Sequence, residues 1–136
     1  MDKISEHISY EEATKSQTAT RLGIDNTPNE LQLSLMKSVA SACFEPIREW
    51  YRKPIIISSF YRSEALNKAI GGVATSQHCL GKAIDIDTGS RLENEKIFEW
   101  AKLNLKYDQL INEYDFSWVH ISFDLGNNRN ETLMIK

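Results

Sequence analysis

The segment that contains His78 and Asp85 constrains this chain more than any other part of its sequence. Residues 76–85 read SQHCLGKAID, and residues 118–120 read WVH. Seven positions separate His78 from Asp85, which is too many for a histidine pair on one turn of a helix. A loop that leads into a strand can instead bring both side chains to one point. We therefore expect a fold in which this segment meets His120 from a later strand.

Two imidazoles and one carboxylate are the donor set of a catalytic zinc site. Three protein ligands leave one coordination position open, whereas structural zinc sites are usually closed by four ligands rich in cysteine. The sequence therefore predicts that His78, Asp85 and His120 bind Zn²⁺ and that the protein is a hydrolase. Taken singly, each residue has a simpler explanation, as a loop histidine, a surface acid and a strand histidine with satisfied hydrogen bonds.

Length and composition predict a single domain over residues 1–136. The chain has 136 residues, 41% of them hydrophobic, which suffices for one ordinary core. Its formal net charge of −3 indicates no broad basic surface, so nucleic acid is not an expected partner. No apolar run reaches membrane-spanning length, and the first residues lack the layout of a secretory signal. We expect no membrane insertion, synthesis in the cytoplasm without a signal peptide, and a monomer.

The two cysteines, Cys43 and Cys79, lie far apart in the sequence and form no metal-binding doublet. Without a secretory signal, two free thiols are expected rather than a disulfide. Cys79 adjoins His78, but neighbouring side chains of an extended segment point to opposite faces, so Cys79 is not an expected ligand.

Capping signals and hydrophobic periodicity predict an α+β domain with mostly antiparallel strands and helices at one side. The predicted helices cover about 10–16, 63–70 and 92–106, and a long helix that follows the start signal Thr27-Pro28 runs through about Tyr51 and should be bent or divided at Pro46. The predicted strands cover about 54–58, 83–87, 109–114, 117–123 and 131–136, the last at an edge; loops cover 18–29 and 73–81. The apolar strand 54–58 should be buried on both faces, and strand 83–87 half buried with Asp85 and Asp87 on one face.

This combination of residues resembles a known family, the zinc D-alanyl-D-alanine peptidases, which include carboxypeptidases, vancomycin-resistance dipeptidases and phage endolysins. The likeness runs from about Ser9 to Ser122. Besides the metal-ligand pattern it covers Lys15–Thr20, Asn26-Thr27-Pro28, Ser59-x-Tyr61-Arg62-Ser63, Asn67 and Gly71-Gly72. It is closest to the compact phage- and prophage-associated branch. The resemblance implies the fold of the Hedgehog signalling domain, an antiparallel sheet with helices packed on it.

The resemblance also implies a zinc-activated water that attacks a peptide carbonyl, and a general base that takes the proton of that water. Many relatives have an acid three positions before the last histidine, where this chain has Ser117. Compact relatives place a glutamate slightly earlier, and Glu113 matches that position best. Asp115 is the rival, because two-residue alternation puts both acids on one face unless a turn intervenes.

Four further residues carry expectations about the site. Relatives use an arginine near the substrate at the position of Arg62, and its donor fork suits a peptide carboxylate or a developing oxyanion; a structural salt bridge is the alternative. Ser76 is expected to bind substrate, to orient a ligand, or to cap a loop turn. Asp87 is expected to orient a zinc histidine or to lie in solvent. Trp118 is assigned to core packing.

The function implied by the resemblance is a zinc-dependent carboxypeptidase or endopeptidase that hydrolyses a bond in peptidoglycan stem peptides or cross-links. A phage or prophage endolysin of this kind would act on the cell wall after release by a pore-forming partner. Two alternatives stay open: a non-catalytic zinc-containing module that binds wall or protein, and a peptidase carried on a phage tail.

Overall fold

The structure is a computed structural model that describes residues 3–136; the first two residues of the predicted domain lie outside the described part. Its α-helices are α1 (Tyr10–Thr14), α2 (Gln17–Leu22), α3 (Glu30–Val39), α4 (Glu45–Tyr51), α5 (Glu64–Ala69) and α6 (Arg91–Asn104). Its strands are β1 (Lys3–Ser5), β2 (Ile8–Ser9), β3 (Ile56–Ser59), β4 (Ala83–Asp87), β5 (Gln109–Glu113), β6 (Trp118–Ser122) and β7 (Glu131–Ile135). A π-helical turn, Ala40–Phe44, joins α3 to α4, and a 3-10 turn, Gln77–Leu80, precedes β4.

The main sheet has five strands in the spatial order β3-β4-β6-β5-β7. Its neighbouring strands are antiparallel except for β5 and β7, which run parallel. Strands β1 and β2 form a separate antiparallel ribbon. Sheet and helices together confirm the predicted α+β class, and β5 and β6, which correspond to the predicted strands 109–114 and 117–123, form an antiparallel hairpin.

The strands β4 and β6 divide their side chains between the core and the candidate site. Four β-branched residues point to the core face, where they meet apolar side chains of α3, α4 and α6: Ile84, Ile86, Val119 and Ile121. Burying each such side chain stabilises the fold by about 1.5–3 kcal/mol. Because successive strand residues point to opposite faces, Asp85 and His120 face away from this core.

The short helices begin where the capping signals predict. Ser9 and Glu12 form a reciprocal capping box at the start of α1, and Ser63 accepts a hydrogen bond from the backbone of Leu66 at the start of α5. The predicted long helix is divided before Pro46. The backbone N–H of Glu45 donates to the carbonyl oxygen of Ala40, five residues back, so a π turn accommodates the proline that cannot donate.

Four expectations about local structure are wrong. The predicted loop 18–29 contains most of α2, whose six residues are too few to show apolar periodicity. The predicted loop 73–81 contains the 3-10 turn. Strand β3 is not buried on both faces: Ile56 is 61% exposed, because β3 is an edge strand with β4 as its single neighbour in the sheet. Strand β4, predicted to be half buried, is largely covered on both faces.

Both cysteines are free and buried. Burial raises the pKa of Cys43 to about 12, so its thiol is unreactive at neutral pH. Cys79 is also buried, and burial raises its pKa as well.

No helix within residues 3–136 has the length and apolar character needed to cross a bilayer.

Candidate metal centre

His78, Asp85 and His120 converge on one point, although they come from a turn and two different strands. One potential ligand atom of each residue lies within 4.8 Å of the others. Nε2 of His78 is 3.3 Å from Oδ2 of Asp85, and Nδ1 of His120 is 3.0 Å from Oδ1 of the same carboxylate. His78 and Asp85 are buried, and His120 is 9% exposed.

The register of the sheet explains why Asp85 and His120 lie together. Asp85 on β4 is directly opposite His120 on β6, and opposed residues of an antiparallel pair project from the same face. His78 reaches them from the 3-10 turn. Gly81 ends that turn in a left-handed conformation and leads the chain into β4.

The hydrogen bonds of His78 prepare it to bind a metal. Its Nδ1 lies 2.7 Å from the carbonyl oxygen of Phe60, which can only accept, so Nδ1 carries the proton. Nε2 then presents a lone pair. This atom is buried and has no hydrogen-bond partner among the described residues. An orphaned imidazole nitrogen beside a carboxylate and a second imidazole fits a zinc ion, for which neutral histidine and carboxylate are ordinary ligands.

The electrostatics of the group favour a cation. Burial alone would disfavour the charged form of Asp85, but His78 and His120 outweigh that cost and hold the pKa of Asp85 well below its usual range. The imidazole rings of the two histidines meet edge to face, with centroids 5.2 Å apart. The site therefore keeps an ionised carboxylate between two imidazoles at neutral pH.

Of the two candidate general bases, the structure brings Glu113 to this group and leaves Asp115 outside. Oε2 of Glu113 is 3.9 Å from Nδ1 of His120. The side chain of Asp115 is 84% exposed and pairs with Arg91 at 3.8 Å. Alternation fails between the two acids because the backbone from Tyr114 to Phe116 is left-handed, with φ of 52° to 58°.

Trp118 supports Glu113 and is therefore part of the site. It stands opposite Glu113 in the β5–β6 pair, and its indole Nε1 donates to Oε2 of Glu113 at 3.0 Å. Burial and the nearby charge of Asp85 raise the pKa of Glu113 above its usual value, against the influence of His120. The carboxyl group of Glu113 thus combines a fixed position with increased basicity.

A cleft of about 530 Å³ opens beside the metal ligands. It is lined by Lys15, Ser16, Gln17, Thr18, Ile57, Ser58, Ser59, Tyr61, Arg62, Leu66, Ile70, Asp85 and Trp118. The backbone N–H of Arg62 donates to the carbonyl oxygen of His78 at 3.2 Å, which places the arginine beside the ligand turn. Nε of Arg62 is buried without a hydrogen-bond partner, and no carboxylate of the described residues forms a salt bridge with it. The alternative of a structural ion pair therefore does not hold for Arg62.

Ser76 and Asp87 have structural contacts. Oγ of Ser76 accepts a hydrogen bond from the backbone of His78 at 3.2 Å and so caps the 3-10 turn, and Ser76 is absent from the described residues that line the cleft. Oδ1 of Asp87 accepts from Asn94 at 2.9 Å and from the backbone of Gly89 at 2.8 Å. Of the alternatives stated for Ser76, the structure therefore shows the cap of a turn. Asp87 stabilises the start of α6 and does not orient a histidine.

A second group of potential ligands lies on the surface, at Glu6, His7 and Glu45. The carboxylate of Glu45 is already engaged there. It accepts hydrogen bonds from Oγ of Ser5 at 2.5 Å and from the backbone of His7 at 2.9 Å, and it lies 2.6 Å from Nδ1 of His7. These contacts attach the β1–β2 turn to α4, which accounts for the cluster without an ion.

Sequence reasoning missed three contributors to the site. Trp118 lies two residues before His120 on one strand, so both side chains are on the same face of the sheet and not in the core. The carbonyl of Phe60 orients His78, and the cleft wall from Lys15 to Thr18 covers the end of the predicted helix 10–16 and the start of the predicted loop 18–29. A backbone carbonyl leaves no signal in a sequence, and the wall is assembled only by tertiary packing.

Comparisons with known proteins place the chain in a family. A search of curated proteins gave no match. The model of one protein family, peptidase M15, matches residues 6–122, a range that contains every candidate metal ligand and Glu113. The match covers most of the chain and agrees with the resemblance stated from the sequence. The protein therefore belongs to the peptidase M15 family.

Proposed function

We propose that the protein hydrolyses a peptide bond in bacterial peptidoglycan, in its stem peptides or its cross-links. Membership of the peptidase M15 family implies a zinc metallopeptidase that acts on a peptide. The observation that carries the proposal is the buried group of His78, Asp85 and His120, with Glu113 beside it and an open cleft along it. The peptidoglycan substrate comes from the resemblance to the zinc D-alanyl-D-alanine peptidases.

His78, Asp85 and His120 would hold Zn²⁺, which supplies Lewis-acid activation of water and of a peptide carbonyl when it is bound. Glu113 takes the proton of the attacking water. Trp118 holds this carboxylate in place by donating to Oε2, and Glu113 later passes the proton to the leaving amine. Arg62 lines the cleft, where its guanidinium group suits a substrate carbonyl or carboxylate.

The finer assignments follow from the same resemblance. We place the protein in the compact phage- or prophage-associated branch and assign it the Hedgehog-like arrangement of a sheet with helices on one face. As an endolysin it would act at the cell wall, reach it through a pore-forming partner, and work as a monomer. A peptidase carried on a phage tail would use the same site.

The test is the digestion of purified peptidoglycan by zinc-loaded protein, with the fragments identified by mass spectrometry. We expect new fragments that disappear with a chelator and with His120→Ala, but persist with the surface variant His7→Ala. The masses name the bond and separate endo from exo cleavage. Cleavage at an unchanged rate after zinc removal would refute the mechanism. Intact peptidoglycan with folded, zinc-loaded protein would refute hydrolysis and favour the non-catalytic binding module.

A further inference from the structure

Asp108 connects the two segments that carry the histidines of the site. Its backbone N–H donates to the carbonyl oxygen of Ser122 at 2.8 Å, two residues beyond His120 on β6. Its Oδ2 accepts a hydrogen bond from Nε2 of Gln77 at 2.8 Å, and Gln77 directly precedes His78. Asp108 is thus attached both to the strand of one histidine and to the turn of the other.

The carboxylate of Asp108 is itself held rigidly. It is buried, and Arg129 donates to it three times: from the backbone N–H at 3.1 Å, from Nε at 2.8 Å and from Nη2 at 2.9 Å. A forked arginine that binds both oxygens of a carboxylate fixes its orientation as well as its charge. Asp108 therefore offers Gln77 an acceptor that cannot turn away.

The amide of Gln77 depends on this one bond. Its Oε1 is buried and has no hydrogen-bond partner among the described residues, so Nε2 provides the single polar anchor of the side chain. The backbone carbonyl of Gln77 accepts from the N–H of Lys82 at 3.0 Å and so belongs to the same tight turn. Releasing the side chain of Gln77 would loosen the turn at the residue next to His78.

We propose that Asp108 is a positioning residue of the metal centre, which acts through Gln77 to hold the turn of His78 at a fixed place relative to His120. This inference rests on the proposed zinc site. Partners that orient metal ligands from outside the first coordination sphere typically change metal affinity about 10- to 100-fold when they are lost. Here the support reaches the ligand through its neighbouring residue, so we expect an effect at the lower end of that range.

The direct test is the zinc dissociation constant of Gln77→Met, measured by competition with a chromophoric chelator. Methionine keeps the length of the side chain and removes the donor. We expect zinc to bind about 10-fold more weakly, with a lower kcat and a nearly unchanged KM for peptide. The matched control is Gln109→Met, which breaks an amide-to-carboxylate bond of 2.7 Å to Glu131 on the same C-terminal segment. Unchanged zinc affinity in Gln77→Met, or an equal loss in Gln109→Met, would overturn the proposal.

A double-mutant cycle tests whether Asp108 acts through Gln77. Asp108→Ala removes the acceptor of Gln77 and should weaken zinc binding in the parent protein. In the Gln77→Met background the bond is already absent, so we expect Asp108→Ala to add less than about two-fold, the accuracy to which independent effects add. Fully additive losses would show that Asp108 does not act through Gln77 and would overturn the proposal.

Zinc affinity and peptidoglycan cleavage are measured separately, so failure of this inference can be distinguished from failure of the proposed function. A parent protein that binds zinc but leaves peptidoglycan intact would refute hydrolysis, while the affinity series would still decide the role of Asp108. Cobalt(II) gives a further readout, because its visible absorption reports the coordination geometry. We expect the spectrum of the cobalt-loaded Gln77→Met protein to differ from that of the parent, and an identical spectrum with identical affinity would count against the proposal.

Discussion

The indole Nε1 of Trp118 donates a hydrogen bond of 3.0 Å to Oε2 of Glu113 across the β5–β6 pair. The bond ties the proposed general base to the strand that carries His120, so base and ligand share one rigid support. The ring of Tyr114 packs against Trp118 with a centroid distance of 5.2 Å and limits the movement of the indole. The geometry of Glu113 is therefore set by its neighbours and not by its own rotamer preference.

Trp118→Phe should slow turnover while sparing zinc and substrate binding. Phenylalanine retains an aromatic ring and removes the donor, so Glu113 loses a hydrogen bond that contributes about 1.5 kcal/mol to its placement. We expect kcat to fall about 10-fold, with KM and zinc content nearly unchanged. The control is Trp100→Phe. Trp100 lies away from the site, and its ring stacks on that of Trp50 with a centroid distance of 5.0 Å. A parent-like kcat for Trp118→Phe would contradict the role assigned to the indole.

Glu113→Gln should nearly abolish turnover and retain zinc. Glutamine keeps an oxygen that can accept from Trp118 but cannot take a proton, and a positioned general base typically contributes about 10²- to 10⁴-fold. The assay is the rate of appearance of new amino termini from peptidoglycan, with bound zinc measured on the same samples. Asp115→Asn should keep the parent rate because its side chain is exposed. The reverse pattern would transfer the base role to Asp115.

Asp115→Gly should stabilise the fold. Asp115 has a φ of 56°, a left-handed conformation that glycine adopts without the steric cost of a Cβ atom. We expect a gain of about 0.5 kcal/mol in the free energy of unfolding, measured with urea, and a loss of about 1 kcal/mol or more for Asp115→Val. Equal stabilities for the two variants would show that the turn is not strained at this position.

The ion pair of Asp108 should make stability depend on pH in acid. Hydrogen bonds from Arg129, reinforced by Gln77, outweigh burial and lower the pKa of Asp108 below the value of about 3.9 expected in the unfolded chain. The stabilisation is therefore complete above the unfolded pKa and is lost as the pH falls through the folded pKa.

Asp108→Asn should accordingly cost about 1.5–3 kcal/mol at pH 7 and progressively less below pH 4, because Asp108 binds a proton in the unfolded chain before it does so in the folded protein. Urea unfolding at each pH, with excess chelator in every sample, isolates this contribution from the loss of metal. The change in the free energy of unfolding caused by Asp115→Asn should vary little with pH. A cost for Asp108→Asn that is the same at pH 3 and pH 7 would contradict the assignment.

Gly81→Ala should be strongly destabilising because it combines strain with a clash. Gly81 has a φ of 78°, and an added Cβ atom would lie 2.5 Å from the carbonyl oxygen of Gln32. We expect a cost above about 2 kcal/mol. Gly89→Ala is the matched control, since Gly89 has a φ of 90° but nothing within 4 Å of the added atom, so strain alone should cost about 1 kcal/mol. Equal costs would show that the approach of α3 to this turn is not tight.

The sequence was sufficient where the determining contacts are local. Ser9 and Ser63 mark helix starts by hydrogen bonds to residues three positions away, and the β5–β6 hairpin follows from two adjacent strand patterns. The convergence of Asp85 and His120 also follows once both are placed on paired strands, because period-two alternation fixes the face on which each side chain lies.

The sequence was insufficient where tertiary neighbours decide. The apolar run around Ile56 is typical of a central strand, yet the order of the strands puts it at an edge. Sequence patterns do not separate Asp115 from Glu113, because the left-handed turn between them contains no glycine. The size of Trp118 favours a place in the core, but its position opposite Glu113 in the β5–β6 pair puts it in the site.

The three candidate ligands belong to structural elements of different stability, which should determine how a bound metal ion exchanges with solution. Asp85 and His120 belong to β4 and β6, each of which has a hydrogen-bonded strand on both sides, whereas His78 lies in a four-residue 3-10 turn. Separating Asp85 from His120 requires opening the middle of the sheet, while a local opening of the turn releases His78 alone. Exchange of the ion with solution should therefore proceed through the His78 side, at a rate set by local opening and not by global unfolding.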